Sequence, residues 1–290
     1  MEEYKFKIAN IVFALRSEKS QGNFSIEASY RKFNTREEPD IILNTHCGRV
    51  QKLDDWELIF DTGDVWRLYR KGAKWAIGLY FPVSDPDPYQ VTVMEDNFRS
   101  GDIYNSIDYL NSKINRFPFQ YPLSLVLAIN LLARSRGVLL HACAVIARGE
   151  GLVFAGTSGA GKSTLAKIWE ADPEVEILTD DRVIVREHRG QFWMYGTPWH
   201  SDAFASSPGE APVSRLYILK HSPENSIQTV KVLKANTDLF VRSFPSFWYS
   251  QGMVYSLDFI DRLVQEVPCY QLGFVPDSSV VDFVRCQISN

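Results

Sequence analysis

This chain of 290 residues has no basic excess: 31 lysines and arginines stand against 35 aspartates and glutamates, a net charge of −4. It therefore has no overall positive field to draw in nucleic acid or an anionic membrane, and any charge that binds phosphate must be local. Cysteine is scarce. Cys47, Cys143, Cys269 and Cys286 lie far apart, without the close pairing of a zinc site or redox motif, and read as four free thiols in a reducing cytosol. Long apolar runs are also missing. The longest, residues 123–133, is broken by Ser124 and Asn130 and falls short of the roughly 20 residues a membrane span needs. The opening MEEYKFKIAN carries charges where a secretory signal needs an apolar stretch. These absences give the expectation of a cytoplasmic protein with neither nucleic acid nor membrane as partner. In that compartment the sequon at Asn23 has no meaning. No internal repeat or low-complexity tract is present.

What the chain does have is core material, 45% hydrophobic and 13% aromatic residues, in a length that calls for two domains. Residues 1–117 read as an antiparallel β-rich domain. Its expected strands are FKIANIVFAL, NFSIEASY, DIILN, WELIF, a hairpin VWRLYRKGAKWAIGLYF turning near Lys71 and Gly72, and QVTVM. Pro86, Pro88 and a polar stretch around residues 96–102 interrupt the pattern. The segment NRFPFQYP marks the boundary, and residues 118–290 form the second domain. It begins with an apolar helix ending at a Gly137 cap, followed by strands VLLHACAVIA and LVFAG joined by a tight turn.

The second of these strands runs into Gly156, Thr157, Ser158, Gly159, Ala160, Gly161, Lys162 and Ser163, then Thr164 on a helix. This is the G-x-x-x-x-G-K-[ST] pattern in the strand-to-helix context it requires. The glycines let consecutive N–H groups point at phosphate oxygens, and the helix adds its positive end. Lys162 would reach the β/γ-phosphates and the Ser163 hydroxyl would hold Mg²⁺. One helix and one strand later the chain returns Asp180 and Asp181. In phosphoryl transfer one carboxylate helps hold the metal and another can accept the proton of an attacking hydroxyl. Adjacent carboxylates also oppose each other's ionisation, which raises one pKa unless Mg²⁺ neutralises it. With the hairpin turn centred on Gly149 and Glu150, Val145 faces Phe154, Cys143 faces Gly156 and His141 faces Ser158, which sets an imidazole beside the terminal phosphates. No N-K-x-D element of guanine-specific GTPases occurs.

The combination HACAVIARGEGLVFAGTSGAGKST followed by ILTDDRV resembles the HPr kinase/phosphorylase family, which shares its nucleotide core with the phosphoenolpyruvate carboxykinases. The resemblance covers residues 121–290, and its specific part is residues 141–183. It implies an α/β core of the PEP-carboxykinase/HPr-kinase type, with a mixed sheet and a P-loop. It further implies ATP and Mg²⁺ as cofactors, bound at residues 156–164. Asp180 would be the base for a serine hydroxyl, Asp181 and Ser163 would be on the metal, and His141 would lie near the γ-phosphate; HPr kinases assemble as homo-oligomers through this core, though the sequence does not give this chain's oligomeric state. MYGTPWHSD (residues 194–202) stands where HPr kinases carry a Glu-Arg-Gly element, which brings the chain closer to the HPr-kinase-like proteins. There Trp199 or His200 would be available to an acceptor, while the aromatic run FPSFWYS reads as core.

The function expected is an ATP-dependent kinase acting on a hydroxyl of a protein, peptide or small metabolite, with the N-terminal domain recognising the acceptor. An alternative of another class is an ATP-binding regulatory module without rapid chemistry. A carboxykinase acting on oxaloacetate is disfavoured by the short chain and the lack of an arginine cluster.

Overall fold

The computed structural model describes residues 2–18, 25–81, 87–107, 117–201 and 205–288. Asn23, Phe24, Pro86, Asp202 and the start of the expected boundary segment lie outside them. The chain divides into two compact units, Met1–Leu131 and Leu132–Asn290, so the division falls after the apolar helix Leu123–Leu132 begins and not between 117 and 118. The reason lies in the aromatics. Phe117 and Phe119 pack on Phe6, Phe13 and Tyr30, with ring centroids 4.8–5.3 Å apart, which ties their segment to the first unit's core.

The first unit holds an eight-stranded sheet: β1 (Glu2–Ile8), β2 (Ile11–Ser17), β3 (Ile41–Gly48), β4 (Glu57–Asp61), β5 (Trp66–Lys71), β6 (Lys74–Leu79), β7 (Gln90–Glu95) and β8 (Ser100–Ser106), in the order β1-β2-β3-β8-β7-β6-β5-β4. FKIANIVFAL is itself a hairpin, because Ala9 and Asn10 both take positive φ, as a two-residue turn between twisted strands requires. The hairpin at Lys71 and Gly72 is as expected. The expected antiparallel sheet is in fact mixed: β2 pairs β3, and β3 pairs β8, in parallel. Both connections are long crossovers, which leave the returning strand free to run in the same direction. NFSIEASY does not continue as a strand. Its described part enters a short helix, Ala28–Arg31, that buries Tyr30. The polar stretch expected to interrupt the sheet contains the start of β8, reached through a tight turn with Phe98 at positive φ.

In the second unit the long strand β9 (Val138–Ala147) and β10 (Glu150–Ala155) form a hairpin that turns on Arg148 and Gly149, both at positive φ. The helix before it ends at Leu132 and not at a Gly137 cap. Further along come β11 (Val175–Thr179), β12 (Arg182–His188), β13 (Gln191–Tyr195), β14 (Glu210–His221), β15 (Ser226–Thr229) and β16 (Cys269–Phe274). The sheet is mixed, since β10 and β16 both pair in parallel with β14. It also closes on itself: β9, β10, β14, β13 and β12 pair in a ring of five. The period of two along β9 sorts its residues into separate cores. Leu140, Ala142 and Ala144 pack with the helices Val232–Val241 and Ser250–Glu266. Cys143, Val145 and Ala147 pack with the helices Lys162–Glu170 and Ser279–Ile288, centred on the fully buried Trp169. Layers on both faces make this a mixed α/β unit.

Candidate functional site

Three pieces of chain meet near the middle of β9, at residues 141–144. β10 ends at Ala155, and the glycine-rich loop carries the chain to the helix Lys162–Glu170. Residues 157–159 form its exposed tip. Gly161 opens the helix at φ 95°, a conformation that an L side chain resists, and a Cβ there would also meet the Phe274 ring at 2.8 Å. Gly159, at φ 78°, faces open space. The loop is thus a curled backbone with room at its tip and a helix N-terminus behind it. Lys162 is buried, and its Nζ donates to the carbonyls of Gly156 and Thr157, each at 3.0 Å. Burial pulls the Lys162 pKa down, against the opposing pull of the Asp181 charge.

The second piece is residues 179–182, between β11 and β12. Both strands lie on the same edge of β9, β11 along residues 144–147 and β12 along residues 138–141. The short link that passes between them carries the two aspartates. Thr179 fixes this turn: its Oγ1 accepts from the backbone N–H groups of Asp181 and Arg182 and donates to the Trp199 carbonyl. Asp180 has no exposed surface, and its Oδ1 accepts the Ser201 backbone N–H at 3.0 Å. Asp181 points to β9, where His141 Nε2 lies 3.1 Å from its Oδ1, while Arg182 pairs with Oδ2. Burial alone would raise the Asp181 pKa. The His141 hydrogen bond and the charges of Arg182 and Lys162 outweigh it and hold this carboxyl below its ordinary value, so Asp181 is not the carboxylate whose ionisation its neighbour suppresses.

The third piece is β9 itself. The His141 carbonyl accepts the Gly156 N–H, and the His141 N–H donates to Arg242. The hairpin register therefore differs by two from the one expected: Val145 faces Leu152, Cys143 faces Phe154, and His141 meets Gly156 and not Ser158. The turn is centred one residue earlier than the sequence reading put it, because Arg148 tolerates the positive φ alongside Gly149. The imidazole still belongs to the site, but through Asp181.

Lys162, Asp180, Asp181 and His141 are thus brought together beside the loop of residues 156–164, and the Ser163 hydroxyl lies 3.4 Å from that of Ser201. Among the described residues no group of three or more His, Cys, Asp or Glu forms a metal cage. A nucleotide-borne Mg²⁺ fits this donor set, because it keeps several waters and phosphate oxygens and asks the protein for only one or two hard oxygen ligands. Trp199 is buried and unavailable to an acceptor, and His200 is half-buried. FPSFWYS is not simply core. Phe247 is exposed, and Phe244 lies beside His141 and under the Arg182 guanidinium, 5.4 Å from its ring centroid. Arg182 and Phe244 lay outside the expected site, and only the aromatic run hinted at the second. Cys143 is fully buried beneath the site, and burial, reinforced by the Asp180 charge, pushes its thiol well up.

No family profile matches the chain, and no curated protein matches it. Among solved structures, the Hpr(Ser) kinase/phosphatase from Coxiella burnetii is similar over 52% of this chain and 92% of its own, at 13% identity and a TM-score of 0.28. At that score the likeness does not establish a shared fold. Among the described residues no helix is long and apolar enough to cross a membrane.

Proposed function

We propose that the second unit is an Mg-ATP-dependent phosphotransferase with a P-loop core of the HPr-kinase/PEP-carboxykinase type. Its acceptor is a hydroxyl on a protein, peptide or small metabolite, which the first unit recognises. The observation that carries this reading is the convergence of Lys162, Asp180, Asp181 and His141 on one glycine-rich loop and helix N-terminus. The backbone N–H groups of residues 156–164 would hold the phosphates. Lys162 would exchange its two carbonyl partners for β/γ-phosphate oxygens. Mg²⁺, held by Ser163 and Asp181, would neutralise charge between the phosphates. Asp180 would accept the proton of the attacking hydroxyl. His141 and Arg182 orient Asp181 from either side, and one of them must yield an oxygen when the metal enters.

A second reading, an ATP-binding regulatory module with slow chemistry, is favoured by one observation: Asp180 is fully buried and already bonded to Ser201. Substitution separates the two readings. If Asp180 is the base and Asp181 a metal ligand, Asp181→Asn weakens Mg-dependent nucleotide binding, whereas Asp180→Asn leaves binding intact and removes transfer. Calorimetry of Mg-ATP binding alongside transfer of labelled phosphate measures both. Full transfer by both variants would put the chemistry elsewhere, and binding without transfer by the parent would leave the regulatory module.

A further inference from the structure

The residues that leave β13 are pinned across the aspartate turn. Thr197 Oγ1 donates to the Arg182 carbonyl at 2.6 Å, and the Trp199 carbonyl accepts from Thr179 at 3.2 Å. This delivers Ser201 with its backbone N–H on Asp180 Oδ1, at 3.0 Å, and its Oγ accepting from the Ser163 hydroxyl, at 3.4 Å. A hydroxyl acceptor in a phosphotransferase of this kind must meet two things: a carboxylate that takes its proton, and the metal-bridged terminal phosphates. Ser201 already lies between the proposed base and the proposed metal-holding hydroxyl. Asp180 has no exposed surface, so an acceptor from outside has to move its surroundings to reach it, whereas Ser201 is already bonded to it through the backbone. Tethering gives it the advantage of an intramolecular nucleophile.

We propose that Ser201 is an internal phosphoacceptor of this site; the inference rests on the Mg-ATP phosphotransferase reading above. In the step, a bond forms between Ser201 Oγ and the γ-phosphorus of ATP, and the bond from that phosphorus to the β,γ-bridging oxygen breaks. The bridging oxygen leaves with its electron pair as part of ADP, and the Ser201 hydroxyl proton passes to the Asp180 carboxylate. The phosphate left on Ser201 would add close to two negative charges beside Asp180 and Asp181, which would oppose the entry of a second triphosphate.

The test uses the full chain, stripped of phosphate and incubated with Mg²⁺ and γ-labelled ATP, with peptide mass spectrometry to locate the label and calorimetry to follow Mg-ATP binding. The expected result is label at position 201, accumulating at a rate per chain that does not depend on protein concentration. Ser201→Ala and Lys162→Ala lose the label, while Ser201→Thr, which retains a hydroxyl, keeps it at the same position. Thermal midpoints confirm that each variant is folded. A chain that binds Mg-ATP and passes the label to water or an added acceptor while position 201 stays unmodified would overturn this inference and leave the phosphotransferase reading standing. A rate per chain that rises with protein concentration would make the transfer intermolecular and overturn it too. A parent chain that fails to bind Mg-ATP would overturn the reading and the inference together.

Discussion

At the scale of single residues, the site depends on charges held out of water by a few specified contacts. Lys162 shows this most directly. Its ammonium group is buried and satisfied by two loop carbonyls, so Lys162→Ala removes the group proposed to follow shifting charge during transfer and also its grip on the loop. The expected outcome is a kcat lowered by about two orders of magnitude or more with the thermal midpoint little changed, measured by single-turnover transfer and thermal unfolding. Equal turnover by parent and variant would dismiss the phosphotransferase reading. Asp181 supplies a pH dependence. Its folded carboxyl binds a proton more weakly than the ordinary 3.8, so its contribution to stability is complete above the unfolded pKa and disappears as pH falls through the depressed folded value. The stability gap between the parent and Asp181→Asn should therefore be wide near neutrality and should close only as pH falls below the ordinary carboxylate range and through the depressed folded value. Urea midpoints across that range measure it. A gap that stays constant would mean that His141 and Arg182 contribute nothing to Asp181 in the folded state.

At the scale of elements, the legible parts were those whose local chemistry is self-sufficient. The run from β9 through the loop to the helix Lys162–Glu170 could be read directly, because alternation, turn glycines and the loop pattern all agree over adjacent residues. The aspartate pair followed because only one helix and one strand separate it from the loop. What could not be read was set by distant partners. The two-residue shift in the hairpin register turned on whether Arg148 would accept positive φ, and nothing local to Arg148 forbids either turn. The parallel pairings of β3, the closure of β10 onto β14, and the positions of Arg182, Phe244 and Ser201 all depend on chain crossing between remote segments. The ring closure makes a prediction of its own. At Gly151 a Cβ would meet the Pro212 carbonyl oxygen at 2.1 Å, at the irregularity where β10 pairs β14. Gly149, at φ 80° in the hairpin turn, has nothing within 4 Å. Gly151→Ala must push two strands apart and should cost about 1–3 kcal/mol, as overpacking does. Gly149→Ala meets only backbone strain, about 1 kcal/mol. Urea unfolding of both variants gives the comparison, and equal losses would show that β10 and β14 can separate freely at this point.

At the scale of the whole molecule, the question is where the γ-phosphate ends up. The second unit carries the proposed chemistry, and the first carries a separate core and sheet without it. Asp180 can take a proton from any small oxygen nucleophile set in line with the γ-phosphate, water included, so the base alone does not choose between a kinase and an ATPase. Access does. Asp180 has no exposed surface and is bonded to the Ser201 backbone, so any nucleophile from outside reaches it only when its surroundings move, a cost that the binding energy of an acceptor can offset and that a lone water cannot. Hydrolysis without acceptor should therefore be slow, and it should fall further as an acceptor from cell extract is added and competes for the in-line position. The measurement follows γ-labelled phosphate from Mg-ATP into three pools, namely the chain, the extract components and free phosphate, with the Lys162→Ala chain as the blank. Label appearing in the first two pools at the expense of the third is the expected outcome. Rapid release of free phosphate that no extract component diverts would mean that water reaches the buried carboxylate after all, and the protein would then be a nucleotide hydrolase whose first unit serves some end other than acceptor recognition.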